Sequence, residues 1–384
     1  MLLWLPVAAQ TPNPKMQIRS RLPRTGDRPG RLLLVGPRVI DGDVVGGPQV
    51  TFESVVTEVA RRADIGLTIV STARPLARRG KLGKAFLDAL TLVLTLARTW
   101  RHAAKADLVV WFVSARAALL AGSGMWLVCA LRRRPLCIRL FGGSFDVYLE
   151  SAPAPWRLIA NRTFLKAELL LAETKDSAAR LEAVCTARWM PNTRDLPPRR
   201  QPYRPSCRRL LFLSVLQPEK GLPELVAAAP RFPPGVRLTV CGPETPGFDV
   251  TELEHTPHTS YGGVVPPERV PEVMEAHDAV VLPTRWSTEG YSGVVIEAFQ
   301  MGLPVIVSRH RSLQELVTED RDGLFVEPGS VDSLVEAVVR LSSDDALFHR
   351  LRQDALRTGE LYRSARSAAV FEDLCRRAAA GQRP

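Results

Sequence analysis

The sequence predicts a two-domain α/β protein, with a mostly parallel, doubly wound sheet in each domain and a cleft between the two domains. Three observations indicate this fold. Short apolar runs alternate with helical stretches in two separate series, which requires parallel sheets covered by helices on both faces. A segment rich in proline and arginine separates the two series. The chain of 384 residues is too long for one ordinary core and suits two domains of similar size.

The first series begins with the apolar run 31–36, which is typical of a buried parallel strand. The loop that follows contains Gly42, Gly46 and Gly47, and apolar residues recur at helical spacing from 49 to 62. A strand, a glycine-rich loop and a helix form the opening unit of a doubly wound sheet. Further strands are expected at 66–70, 108–113, 136–141 and 168–172, with helices at 82–104 and 115–131.

The second series contains expected strands at 210–213, 236–241, 279–282 and 304–307, with helices between them and at 331–341 and 344–362. The first residues of the chain are apolar over a short stretch, have no basic residues before them and run into a proline-rich segment. We therefore expect a disordered leader, with a true start near Met16. The predicted parts are a leader at 1–30, a first domain at 31–190, a linker at 191–209, a second domain at 210–362 and a helical tail at 363–384.

The composition narrows the classes of partner. There are 51 Lys and Arg residues against 40 Asp and Glu residues, a net charge of +11. Nucleic acid, an anionic membrane surface and a phosphorylated substrate all fit this charge, and so does a basic surface without a partner. No run of about 18 apolar residues occurs, so any membrane contact is expected to be peripheral. The cysteines show no C-x-x-C spacing, which indicates neither a zinc site nor a disulfide framework and fits a reducing cytoplasm.

The segment 278–304 is the most informative part of the sequence. It reads DAVVLPTRWSTEGYSGVVIEAFQMGLP, in which a buried strand and a polar loop precede a helix from about Gly293 to Met301. Gly302, followed two residues later by proline, is typical of a helix end. The helix is apolar nearly all round and is therefore expected inside its domain, yet it contains Glu297.

A carboxylate at Glu297 needs hydrogen-bond donors, because burying an unpaired charge is costly. The vicinal hydroxyls of a ribose supply two donors, as they do to acidic residues in dinucleotide sites. The free N–H groups at the start of the helix, from about Ser292 to Val295, suit a phosphate of the same nucleotide. The alternative is that Glu289 lies on a surface loop and Glu297 is salt-bridged to an arginine.

Glu289 and Glu297, separated by seven residues, resemble the paired-glutamate signature of the family 4 retaining glycosyltransferases of GT-B fold. The flanking segments 261–268, 278–284 and 322–329 are similar to that family's motifs in the same order. The resemblance is firm from about 210 to 341. In the first half it is looser and depends on three short elements: Gly46-Gly47, Phe141-Gly-Gly143 and Pro191-Asn192.

The resemblance implies a nucleotide-sugar site. Glu297 would hold the ribose, Glu289 would contact hydroxyls of the donor sugar, and Lys220 would neutralise the diphosphate. Glu289 and Lys220 are the expected catalytic residues. The alternative for Lys220 is an exposed lysine without a role in binding. The alternative for Gly46-Gly47 is a tight turn and nothing more. Backbone groups of further residues would approach the donor or the acceptor: Tyr291, Ser292, Gly293, Gly46 and Gly47. Asp146 and Val264 are additional candidates for the site.

The sequence departs from the family pattern at two positions. The family commonly has an arginine five residues before the lysine of the Lys-Gly element, and this chain has Val215 there. One cation expected on the leaving diphosphate is therefore missing. The histidine often found at the end of a first-domain strand corresponds to Phe141, so a polar contact to the donor sugar is either absent or supplied by Ser144 or Asp146.

We therefore expect a retaining, hexosyltransferase-type enzyme that uses a nucleotide-sugar donor and a glycan, glycolipid or lipid-linked acceptor in cell-surface polysaccharide or lipopolysaccharide synthesis. The resemblance implies metal-independent catalysis with no cofactor, and no nucleic-acid partner is expected. The expected location is the cytoplasm, with the inner face of an anionic membrane as a candidate surface. A nucleotide-sugar epimerase and a non-catalytic sugar-nucleotide-binding protein are the alternatives. No G-x-G-x-x-G follows the first strand, which argues against an NAD oxidoreductase.

Overall fold

The structure is a computed structural model that describes residues 30–39, 46–62, 65–73, 81–197, 204–245, 247–380 and 382. Residues 1–29 of the predicted leader lie outside the described residues. Gly42 of the first loop and residues 198–203 of the predicted linker lie outside them as well.

The first domain contains a sheet of six strands in the order β2-β1-β3-β4-β5-β6, and all its neighbouring strands are parallel. Its strands are β1 (Gly30–Gly36), β2 (Ile65–Ser71), β3 (Leu108–Ser114), β4 (Leu136–Phe141), β5 (Leu169–Ala172) and β6 (Ala187–Trp189). Its helices are α1 (Gly47–Ala60), α2 (Lys81–Ala103), α3 (Ala115–Leu131), α4 (Phe145–Ser151), α5 (Ala154–Arg162) and α6 (Lys175–Leu181). The strand order reverses between β1 and β3, and in open α/β sheets the crevice at such a point is where ligands generally bind.

The second domain repeats this plan with the strand order β12-β11-β10-β7-β8-β9, again parallel. Its strands are β7 (Arg209–Leu213), β8 (Arg237–Cys241), β9 (Thr259–Tyr261), β10 (Ala279–Leu282), β11 (Val305–Ser308) and β12 (Gly323–Val326). Its helices are α7 (Leu222–Ala228), α8 (Thr251–His255), α9 (Val270–Glu275), α10 (Gly293–Gln300), α11 (Leu313–Leu316), α12 (Val331–Ser343) and α13 (Asp345–Gly359). Here the order reverses between β7 and β10.

The apolar runs form strands because both faces of each sheet are covered. Successive residues of β1 point to opposite faces. Leu32 and Leu34 pack with Phe52 of α1, whereas Leu33 and Val35 belong to the cluster that contains Met125 of α3. A strand buried on both sides has no polar face, which explains the continuous apolar pattern in the sequence.

The last helix, α14 (Ser364–Ala379), returns the chain to the first domain. The ring of Phe371 lies 5.5 Å from that of Phe112 on β3, measured between centroids. Glu372 forms an ion pair with Arg62, just after α1. The predicted tail therefore packs on the first domain, although it follows the second domain in the sequence. In the described residues, no helix is both long and apolar enough to traverse a bilayer.

Candidate active site

The loop between β10 and α10 lies at the point where the strand order of the second sheet reverses, and it meets a loop of the first domain. A Cβ atom added at Gly143, between β4 and α4, would lie 3.1 Å from the Glu289 carbonyl oxygen and 3.4 Å from the Gly290 Cα. Glycine at this position therefore permits close backbone contact across the cleft.

Glu289 and Lys220 form an ion pair in this cleft. Lys220 Nζ donates to Glu289 Oε2 at 2.5 Å, and Thr284 Oγ1 donates to the same oxygen at 3.2 Å. The next residue, Gly221, has a φ of +84°, and a Cβ atom there would lie 2.1 Å from the Pro283 carbonyl oxygen. Glycine thus lets the turn after β7 pass close to the end of β10 and places Lys220 beside Glu289.

Glu297 lies inside α10 and is mostly buried. Its Oε1 accepts a hydrogen bond of 2.9 Å from Arg194 Nε. Burial raises the pKa of Glu297, and the Arg194 guanidinium partly opposes that rise. The alternative drawn from the sequence is therefore half met: Glu297 is salt-bridged to an arginine, but the Glu289 side chain is only 9% exposed and does not lie on a surface loop. The start of α10 has Ser292 as its N-cap residue, and no side-chain hydrogen bond caps it.

Glu173, at the carboxyl end of β5, was missed by the sequence reasoning. Its buried carboxylate accepts the Gly142 N–H at 2.8 Å and the Tyr291 N–H at 2.5 Å. Burial raises the pKa of Glu173, while Arg139 acts in the opposite direction. The acidic residue directly after the apolar run of β5 was a signal that could have found it. This carboxylate joins the Gly142 loop of the first domain to the loop between β10 and α10 of the second.

Asn192 also holds the backbone of Tyr291. Its Nδ2 donates to the Tyr291 carbonyl oxygen at 2.9 Å, and its Oδ1 accepts from Arg139 Nη2 at 3.0 Å. Asn192 comes from the predicted linker, whose residues 192–194 are buried. The crossing segment between the two domains is therefore part of the candidate site.

A second set of contacts joins the domains beside the cleft. Glu315 accepts the N–H groups of Lys175 at 2.6 Å and Asp176 at 3.0 Å, and the Tyr291 hydroxyl donates to it at 2.9 Å. Arg311 of the second domain forms a 2.9 Å ion pair with Asp146 of the first. Asp146, a sequence candidate, is thus engaged by an arginine, although its Oδ1 has no hydrogen-bond partner in the structure as described.

The other sequence candidates occupy different positions. Gly46 is the N-cap residue of α1 and Gly47 its first residue. Val264 is exposed in the loop after the edge strand β9, two strands away from β7. Val215, where an arginine was expected, is exposed after β7. His310 lies near the Glu289–Lys220 pair: burial lowers its pKa, the Glu289 charge opposes this, and Lys220 adds to it.

The arrangement combines features that suit an anionic, sugar-containing ligand. Two carboxylates offer acceptors to hydroxyl groups, each carboxylate is bonded to a cation, and the start of α10 adds N–H groups to the same site. Charged groups in such a water-poor cleft interact more strongly than they would in solvent. The site can therefore bind a diphosphate and stabilise charge that develops on it.

Comparisons with known proteins identify a family match in the second half of the chain and several curated relatives. Residues 200–358 match the family described as glycosyl transferases group 1. The UDP-Gal:alpha-D-GlcNAc-diphosphoundecaprenol alpha-1,3-galactosyltransferase of Escherichia coli is 37% identical over 78 residues, which are 20% of this chain and 20% of that protein. The D-inositol 3-phosphate glycosyltransferase of Corynebacterium glutamicum is 29% identical over 176 residues, 42% of each chain. The chain thus spans less than half the length of the curated relatives it matches.

Solved structures resemble the chain over most of its length. Sucrose-phosphate synthase from Thermosynechococcus elongatus superposes with a TM-score of 0.71 at 18% identity, covering 92% of this chain and 100% of that one. Anabaena HepE in complex with UDP gives a TM-score of 0.66 at 18% identity, with 90% and 98% covered. These likenesses show the fold, which is the predicted GT-B arrangement of two Rossmann-like domains.

Proposed function

We propose, from the premise that residues 200–358 belong to the glycosyl transferases group 1 family, that the chain is a retaining glycosyltransferase. It transfers a hexose from a nucleotide-sugar donor to a glycan, glycolipid or lipid-linked acceptor. The observation that supports this most directly is the geometry around α10. Glu289 precedes the helix and is bonded to Lys220, while Glu297 lies within the helix and is bonded to Arg194.

Each part of the donor has a matching group in this geometry. Glu297 accepts the ribose hydroxyls, since one of its carboxylate oxygens remains beside the one that Arg194 occupies. The N–H groups at the start of α10 bind the diphosphate. Glu289 accepts hydrogen bonds from hydroxyls of the sugar. Lys220 gives up part of its contact with Glu289 and stabilises the negative charge that grows on the leaving diphosphate.

The transfer step follows from this placement. The acceptor oxygen forms a bond to the anomeric carbon while the bond from that carbon to the diphosphate oxygen breaks. The proton of the acceptor hydroxyl passes to a departing phosphate oxygen, and both events occur on one face of the sugar. A covalent route would need a free carboxylate beside that carbon. Glu173 is a buried first-domain carboxylate that contacts the loop between β10 and α10, but its two oxygens already accept backbone N–H groups.

The proposal is tested in two steps. A thermal-shift screen of nucleotide sugars identifies the donor, and transfer to glycan or lipid-linked acceptors is then followed with and without a chelator. Proton NMR of the product gives its anomeric configuration. Retention with full activity in the chelator is expected, since Lys220 and the α10 N–H groups supply the positive charge. Inversion, or activity that needs a divalent metal, would contradict the mechanism.

Two other functions make different predictions in the same assay. An epimerase releases nucleoside diphosphate, or changes the sugar, without any acceptor. A non-catalytic binding protein, suggested by Val215 in place of arginine, binds the donor without turnover across a broad acceptor panel. Acceptor-dependent release of nucleoside diphosphate excludes both.

We further propose that the acceptor is membrane-linked, because the first domain presents an unusual apolar surface. On α2 the outward side chains are Leu90, Val93, Leu94 and Trp100, while Thr95 and Thr99 face inward and are buried. The helix therefore shows several apolar side chains to solvent, while Leu92 and Leu96 pack against the core. On the neighbouring α3, Leu120 is 71% exposed and Leu131 63% exposed. Exposed apolar patches of this kind mark interaction sites.

The charge around this surface favours an anionic membrane. The helices α2, α3 and α5 contain exposed basic residues: Arg98, Arg101, Arg116, Arg157 and Arg162. The same three helices contain a single acidic residue, Asp88. A second copy of the chain would bring like charges together at a two-fold contact, whereas an anionic leaflet accepts both the basic rim and the apolar side chains.

Vesicle flotation tests the membrane surface. The protein is expected to float with vesicles that contain an anionic phospholipid and much less with purely zwitterionic ones. The double variant Val93→Gln/Leu120→Gln should reduce flotation several-fold, because two apolar side chains no longer enter the leaflet. Val339→Gln, an exposed position on α12 of the second domain, is the matched control. Equal flotation of the two variants would refute this surface.

A further inference from the structure

Arg194 lies in the segment that crosses from the first domain to the second, and no motif pointed to it. Its side chain is 3% exposed. Its backbone is fixed on both sides: its N–H donates to the Tyr362 carbonyl oxygen at 2.9 Å, and its carbonyl oxygen accepts from Gln300 Nε2 at 2.7 Å. Because its backbone is fixed and its side chain is buried, the guanidinium of Arg194 points in one defined direction.

The guanidinium uses its nitrogens unequally. Nε donates to Glu297 Oε1 at 2.9 Å, and Nη1 donates to the Thr193 carbonyl oxygen at 2.8 Å and to Thr51 Oγ1 at 2.5 Å. Nη2 makes only a long contact of 3.4 Å, to the Gly47 carbonyl oxygen, among the described residues. Since Nη2 has two hydrogens, it retains donor capacity.

Nη2 faces the two elements expected to approach the donor phosphates. A Cβ atom at Gly293, the first residue of α10, would lie 2.1 Å from Nη2, and one at Gly47, the first residue of α1, would lie 3.5 Å from it. The absence of side chains at these two glycines leaves the guanidinium between two helix starts. Both helix starts have partial positive charge. Glu297 balances this cluster on the Nε side, and a second anion on the Nη2 side would balance the rest.

We propose that Arg194 is a donor-binding residue, with Nη2 contacting the diphosphate of the nucleotide sugar and Nε holding Glu297 in position for the ribose. This inference rests on the proposed function and identifies a cation that binds the diphosphate of the donor. Val215 stands where the resemblance expects an arginine after β7, and Arg194 supplies the guanidinium from the crossing segment instead. Because Thr51 and Gly47 belong to the first domain, Arg194 also ties diphosphate binding to the contact between the domains.

The test compares a nucleoside diphosphate with its nucleoside. UDP, GDP and ADP are screened against the wild type, and the tightest binder and its nucleoside are titrated against Arg194→Met, Arg194→Lys and Arg363→Met. Arg363 is the matched control, because it pairs with Arg194 in a β-bridge and its side chain binds the Leu196 carbonyl oxygen at 2.8 Å and Glu360 at 2.8 Å.

Arg194→Met is expected to reduce diphosphate affinity by about 10- to 100-fold, the range for losing hydrogen bonds from a charged group. The affinity for the nucleoside should fall less, so the ratio of diphosphate affinity to nucleoside affinity should fall by about tenfold. The ratio for Arg194→Lys should lie between those of the wild type and Arg194→Met, because an ammonium lacks the planar fork of a guanidinium. Arg363→Met should preserve the wild-type ratio.

An unchanged ratio in folded Arg194→Met would overturn the diphosphate contact and leave Arg194 as a partner of Glu297 alone. If Arg194→Met does not fold, Arg194→Lys decides: a fall of about threefold or more in the ratio supports the contact, and a wild-type ratio overturns it. A wild type that binds none of the three nucleoside diphosphates would refute the proposed function itself.

Discussion

Glu289, in the loop before α10, and Glu297, within α10, differ in their surroundings. Glu289 is bonded to a lysine and a threonine hydroxyl at the edge of the cleft, whereas Glu297 is held within α10 by a buried arginine. The pKa of Glu297 is raised by burial. If Glu289 contacts the donor sugar and Glu297 the ribose, substituting them should therefore affect transfer and nucleotide binding differently.

We predict that Glu289→Gln leaves the affinity for free nucleoside diphosphate nearly unchanged but reduces transfer, because its contacts form only with the sugar. Glu297→Gln should weaken nucleoside diphosphate binding by about 1–3 kcal/mol, the range for hydrogen bonds to a charged group. Calorimetric affinities and transfer rates measured side by side check this, with exposed Glu336→Gln as the control. Equal losses in both quantities for both glutamates would point to a purely structural pair.

The raised pKa of Glu297 gives a prediction for pH. The ionised carboxylate accepts ribose hydroxyls, so donor affinity should fall as pH falls through the pKa of Glu297, which burial raises from its ordinary value. Folding stability should respond in the opposite direction. A carboxyl with a raised folded-state pKa contributes stability below its unfolded-state pKa, and this contribution is lost as pH rises through the folded-state value. Calorimetric donor titrations and denaturant unfolding across pH measure the two trends, and both should flatten in Glu297→Gln.

At the scale of elements, long apolar or strongly periodic segments could be predicted from the sequence. The expected helix at 115–131 and strands at 136–141 and 279–282 coincide with α3, β4 and β10. The short strands β6, β9 and β12 were not predicted as strands, because none of them contains four consecutive apolar residues, as β10 does. The helix expected at 344–362 ends at Gly359, and a 3₁₀ turn, Glu360–Tyr362, follows it.

The turn that positions Lys220 depends on Gly221. We predict that Gly221→Ala destabilises the fold by about 2–4 kcal/mol, because it adds overlap with the Pro283 carbonyl oxygen to the strain of a positive φ. Gly235→Ala is the matched control: its φ is +85°, close to the +84° of Gly221, but its Cβ atom would enter open space. That change should cost about 1–2 kcal/mol. Denaturant unfolding gives both values, and transfer should fall only in Gly221→Ala. Equal costs would mean that the close approach to Pro283 is unimportant.

At the scale of the whole molecule, the sequence predicted the cleft but not the contacts that close it. Arg194 and Glu173 act across the domain boundary, on partners about 100 residues away in the chain: Glu297 and the Tyr291 N–H. No local period or motif encodes such a pairing, because it depends on how the two sheets face each other. Glu289 and Glu297 could be singled out from the sequence, since their loop and helix are contiguous in the chain.

The last prediction concerns closure of the cleft by Glu315. Its carboxylate, from the second domain, accepts the Lys175 and Asp176 N–H groups at the start of α6 in the first domain. Replacing it with glutamine removes a charge from a helix N-terminus and two charge-assisted hydrogen bonds, so the closed arrangement should lose about 1.5–3 kcal/mol.

Most of the residues proposed to bind the nucleotide sugar lie in the second domain. Glu315→Gln should therefore reduce transfer by about tenfold or more while changing nucleoside diphosphate affinity much less. Small-angle scattering should show a larger radius of gyration with donor bound than in the wild type. Asp332→Asn is the control, because its ion pair with Arg231 is exposed and lies within the second domain. Wild-type transfer and an unchanged radius would mean that closure does not depend on Glu315.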